Sequence, residues 1–140
     1  MQFSYFYLRL LSHLKDSHPH LVEDSGFIAS RVDLASITYE QERLDGSNHD
    51  EAMEQVSEVL FRGLLFSVHD TIFNIIEELY SPTQSEKYLR KITQNVYNRL
   101  NVDVLNRYKF NDSFDETPEY KLFYVEMIGE VYNIIGDYGI

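Results

Sequence analysis

Residues 47–80 read SNHDEAMEQVSEVLFRGLLFSVHDTIFNIIEELY, and this stretch decides the fold. Ser47 and Asn48 are both suited to cap a helix N-terminus, and Asp50 or Glu51 stands at the third helical position to complete a capping box. From there the apolar residues recur at helical spacing: Ala52/Met53, Val56, Val59/Leu60 and Leu64. Gly63 interrupts the run. Ser67 followed by Asp70 announces a second start, and Ile72, Phe73, Ile76 and Leu79 carry a second stripe to about Tyr80. Nothing in these residues alternates with period two, so the stretch is two helices.

The same logic extends to both ends. Phe3, Phe6/Tyr7, Leu10/Leu11 and Leu14 form a stripe over about 3–15, which Ser17-His18-Pro19-His20 terminates because a proline and its predecessor both resist helix. Ile28, Val32, Ala35 and Tyr39 mark a helix over about 26–44, stopped near Gly46. Beyond Tyr80, Ser81-Pro82-Thr83-Gln84 offers a cap, a first-turn proline and a Gln at the third position. A fifth helix follows through Leu89, Ile92, Val96 and Leu100, continuing or restarting toward Tyr108. Thr117-Pro118-Glu119 repeats the start signal before a last helix over 118–137, with Leu122, Val125, Ile128, Tyr132 and Ile135 as its stripe and Gly139 past its end. The expectation is an all-α fold, a single-domain bundle of five or six helices over residues 1–140. Its core is expected to include Leu60, Phe61, Leu64, Ile72, Ile76, Ile92, Val96, Val125, Ile128 and Tyr132.

Composition supports a globular domain. Hydrophobic residues make up 44% of 140, with eleven Tyr and nine Phe, enough apolar area to offset chain entropy. The formal net charge is −11. A surface that negative repels phosphate backbones and anionic headgroups, which argues against nucleic acid and membrane surfaces as partners. There is no cysteine, so disulfides, thiolate metal sites and Cys nucleophiles are excluded. The first residues lack the basic segment and cleavage site of a secretion signal, and no apolar run approaches a membrane span. A cytoplasmic protein is expected.

Candidate chemistry is sparse. His13, His18 and His20, beside Asp16, Glu23 and Asp24, are the densest set of metal donors, and they match no known ligand spacing. His-Pro-His at a helix end is more simply solvated, so no metal and no cofactor are expected. None of the five histidines has a carboxylate three residues before it, which removes the di-metal bundle pattern. His69-Asp70 has no nucleophile elbow to serve, and adjacent helical residues point about 100° apart. Gly63 sits where a helix-turn-helix wants its turn glycine, yet no Lys or Arg occurs from 63 to 86 to hold phosphate. That turn reads as a packed corner.

Charge is unevenly spread. Residues 81–110 hold six cations (Lys87, Arg90, Lys91, Arg99, Arg107, Lys109) against Glu86 and Asp103, so the segment is +4 while the other 110 residues sum to −15. The segment is either a solvated face or one half of a complementary contact with an acidic surface, within the chain or across a homodimer. Lys87, Arg90, Lys91 and Arg99 are the interaction candidates, with Tyr5, which lies off the first helix's stripe, as an apolar anchor.

Several strings carry a family resemblance: Ser17-His18-Pro19 with Phe27-Ile28 and Arg31; Ala35 with Tyr39-Glu40; Val59-Leu60-Phe61-x-Gly63-Leu64-x-Phe66-Ser67-x-x-Asp70-Thr71-Ile72; and Pro118-Glu119-Tyr120-x-Leu122-x-Tyr124. Over nearly its whole length the chain resembles an uncharacterised Bacteroidetes family, domain of unknown function 1896, whose members are often carried on conjugative transposons. Family members tend toward Trp-Asn-Glu-Phe where this chain has Glu77-Glu78-Leu79-Tyr80. The resemblance implies a bacterial protein linked to mobile elements and supplies no activity. The residues therefore point to a non-enzymatic interaction or regulatory module. The alternatives are an enzyme, metal-dependent or otherwise, with an unrecognised site, or a nucleic-acid-associated protein using 81–110.

Overall fold

The computed structural model describes residues 2–80 and 83–140, with side chains from Ser4 onward. Seven α-helices appear among the described residues, and no strand. They fall into two compact units, one ending at Leu65 and one beginning at Phe66.

The first unit holds α1 (Gln2–Ser17), a 3-10 turn at Pro19–Leu21, α2 (Ser25–Leu44) and α3 (His49–Phe61). Asp24 caps α2, its carboxylate accepting the Phe27 N–H at 3.1 Å. At α3 the expected box is present: Asn48 accepts the Glu51 N–H at 2.9 Å, and Glu51 accepts the Asn48 N–H at 2.8 Å. α2 packs along both α1 and α3. The core is Phe6, Leu10 and Leu14, then Ile28, Val32 and Ala35, then Val56, Leu60 and Leu64, matching the stripes read from the sequence. Phe3 lies outside the described side chains, and Phe61 is half-buried, packed at the core's edge.

The second unit holds α4 (Val68–Tyr80), α5 (Glu86–Tyr97), α6 (Val102–Leu105), a 3-10 turn at Phe114–Glu116 and α7 (Glu119–Tyr138). The expected five or six helices become seven because the chain restarts for a single turn as α6, capped by Asn101 accepting the Asp103 N–H at 2.9 Å. The expected start of α5 is also corrected. Ser81 and Pro82 lie outside the described residues, and the cap is Ser85, which accepts the Tyr88 N–H at 3.2 Å. Thr117 does not cap α7 either, because its hydroxyl donates to the Phe114 carbonyl at 2.7 Å.

The largest correction concerns α7. Val125 is 67% exposed, Tyr132 is 57% exposed and Ile128 is only half-buried, whereas Phe123, Met127, Val131 and Ile134 are buried. The helix is apolar on two sides, so two stripes obey helical spacing and periodicity cannot choose between them. The buried stripe joins Ile72, Ile76, Ile92, Val96 and Phe114 in the unit's core. No helix among the described residues is long and apolar enough to cross a membrane.

Candidate functional site

Three places bring chemistry-bearing side chains together. The first lies at the end of α3. His13 on α1 and His18, just past it, each place Nε2 2.8 Å from the Leu64 carbonyl oxygen. A carbonyl can only accept, so both rings carry their proton on Nε2 and both donate to it. Arg31 on α2 adds Nη1 bonds to the carbonyls of Val59 (3.3 Å) and Leu60 (3.2 Å), while its guanidinium lies 4.9 Å from the Phe27 ring centroid. These acceptors sit where a helix runs out of N–H partners for its last carbonyls. Gly63, at φ +80, makes the turn that presents Leu64. The histidines do converge, but on a backbone oxygen. His20 stays exposed, with its ring 6.0 Å from that of His18. No group of three or more His, Asp or Glu suited to a metal occurs among the described residues.

His69 and Asp70 both lie in the first turn of α4. His69 is buried with its ring 5.4 Å from Tyr97. Burial pushes the Tyr97 hydroxyl above its ordinary pKa. Asp70 sits in the first turn of α4, where the Ser67 hydroxyl accepts its N–H at 3.0 Å.

The second place is the basic segment, which the structure divides. Arg90 lies 4.4 Å from the Phe73 ring centroid and Arg99 lies 4.5 Å from that of Tyr138. Arg99 also donates to the Asn95 carbonyl and side chain at 3.2 and 2.9 Å. Arg107 pairs with Glu126 at 3.0 Å. Lys87 and Lys91 remain on the exposed side of α5, next to a half-exposed Tyr88. Tyr5, the other interaction candidate, is 51% exposed with Arg9 5.8 Å from its ring centroid.

The third place escaped sequence reading. Phe66, Tyr108, Phe110, Phe114, Tyr120 and Phe123 pack in one aromatic cluster, mostly edge to face, with Phe66 and Phe110 stacked. At its margin the Tyr108 hydroxyl donates to Glu126. That bond, more than burial or the Glu126 charge, holds the Tyr108 hydroxyl above its ordinary pKa, against a smaller opposing pull from Arg107. A cleft of about 340 Å³ opens beside it between Arg107, Lys109, Thr117 and Glu119. The one sequence signal was the density of aromatics in 108–124.

Three of the residues that carry the resemblance, His18, Arg31 and Leu64, make hydrogen bonds at the end of α3. The family profile described as a domain of unknown function, DUF1896, matches residues 1–140. The chain belongs to that family. The crystal structure of protein PG0816 from Porphyromonas gingivalis is similar to it: 30% sequence identity, a TM-score of 0.80, and coverage of 97% of this chain and 92% of that one. No curated protein sequence matches this one. The family's name assigns no activity, and in this chain His18 and Arg31 are bonded to backbone carbonyls at the end of α3.

Proposed function

We propose that this DUF1896 chain is a non-enzymatic interaction module that holds a protein partner against the outer face of α7. One observation carries the reading. Leu122, Val125 and Tyr132 are 65%, 67% and 57% exposed and lie on a common side of that helix. Single exposed apolar residues are ordinary, but a row of them on one helix face marks a contact surface. From the resemblance we place the module on a mobile element such as a conjugative transposon, acting in the cytoplasm as one domain. It forms a homodimer, with Tyr5 and Leu8 of α1 supplying apolar contact and Lys87 and Lys91 supplying electrostatic attraction to an acidic surface of the other copy.

Affinity capture from a native Bacteroidetes host, with wild type and Val125→Asn side by side, tests the main reading. Proteins retained by wild type should be missing from the variant. An identical retained set overturns it. Light scattering at low and high salt tests the dimer, and a monomer at every concentration ends that part.

A further inference from the structure

Beyond its exposure, the outer face of α7 has a composition that specifies what fits it. At 100° per residue, Leu122, Val125, Gly129, Tyr132 and Gly136 fall within an arc of about 80°. They run about 21 Å along the helix at 1.5 Å per residue. Both glycines lie inside the helix, and neither has the positive φ that would call for glycine. A Cβ built on either would meet nothing within 4 Å. No described residue therefore uses their small size. They leave two notches, one between Val125 and Tyr132 and one a turn beyond Tyr132, the relief that lets a second helix approach closely.

Charge flanks this stripe on one side. Glu119, Glu126, Glu130 and Asp137 project along one edge, with Asn133 between them, while the opposite edge carries only Lys121. Arg107 neutralises Glu126, which leaves three carboxylates along the edge. A second copy laid antiparallel about a two-fold axis at this face sets acidic edge against acidic edge. Nucleic acid and anionic lipid are repelled for the same reason. The complementary object is a helix with bulky apolar residues along one face and Lys or Arg beside them.

Resting on the interaction reading above, we infer that the outer face of α7 docks a basic amphipathic helix of a partner protein. The partner's large apolar side chains seat over Gly129 and Gly136, and its cations run along the Glu119–Asp137 edge.

Two fluorescently labelled helical peptides test this against the full chain by anisotropy. They share one leucine stripe, flanked by lysines in the first and by glutamates in the second. The lysine peptide should bind saturably and at least tenfold tighter at low salt, with the difference shrinking as salt screens the edge. Val125→Asn and Gly136→Leu should each weaken it at least tenfold. Both positions are open to solvent, and a cooperative circular-dichroism melt, close to wild type's for Val125→Asn and no lower for Gly136→Leu, confirms that each variant is folded. Equal affinity for the two peptides overturns the basic partner and leaves the interaction reading standing. No binding of either peptide, or tight binding that neither variant weakens, removes this face as a docking surface.

Discussion

The two long faces of α7 have nearly the same amino-acid chemistry and opposite fates. Phe123, Met127, Val131 and Ile134 lie in the core of the second unit, whereas Leu122, Val125 and Tyr132, each next in sequence to a buried or half-buried neighbour, are more than half exposed. Both rows satisfy helical spacing, so the pattern locates a helix without saying which way it faces. α5 is the contrasting case. Apart from a half-exposed Tyr88 its surface is mostly Glu, Lys, Arg, Gln and Asn, and the expected stripe of Leu89, Ile92 and Val96, with Leu100 just past the helix, is buried. The difference teaches that an apolar row left over after the core is filled is a surface feature in need of its own explanation. Glycines on that row are a sequence-level sign of which side stays open.

Truncation on the buried side should have the largest effect. Phe123→Ala, at a fully buried ring in the aromatic cluster, should cost about 3–5 kcal/mol in urea unfolding. Leu60→Ala, fully buried in the first unit, should cost about 2–5 kcal/mol. A loss under about 1 kcal/mol at either would mean the core is not packed as described.

The outer side should respond with the opposite sign. Gly129→Ala and Gly136→Ala meet no atom within 4 Å, and each should raise stability by about 0.4–1 kcal/mol by restricting the unfolded chain. The same changes should weaken the lysine peptide, because a methyl group fills each notch. Destabilisation would show that the glycines serve packing within the chain.

How much was legible follows from these residues. Six of the seven helices found among the described residues, all but the single-turn α6, and most core stripes were readable because capping chemistry is local: Asn48 and Glu51 close their box within four residues. The start of α5 was misplaced because Ser81 and Ser85 are both good caps, and sequence does not rank them. The His13–His18 pair stood out as a dense donor set, but its target is a backbone carbonyl 46 residues beyond His18, which no local pattern reveals. The basic segment looked like one patch, although Arg90 and Arg99 lie over the Phe73 and Tyr138 rings.

A smaller effect belongs to Tyr108. Its folded pKa is raised, first by the hydrogen bond to Glu126, so its stabilising contribution is present below the unfolded value of about 10 and is lost as pH climbs through the folded value. In an ultraviolet tyrosinate titration, Tyr108→Phe should remove one late-ionising tyrosine and leave those of Tyr97 and Tyr124. An unaltered late phase would mean that Glu126 does not hold the hydroxyl.

The most direct test of the two-faced helix is urea unfolding of Val125→Asn beside Val131→Asn. The exchange is chemically identical, and Val and Asn differ little in helix propensity. At Val131, fully buried, the amide loses water without a partner, and the midpoint should collapse or the chain fail to fold. At Val125, 67% exposed, stability should stay within about 0.5 kcal/mol of wild type. Equal losses at the two positions would contradict the account, because both faces of α7 would then be covered in the folded chain.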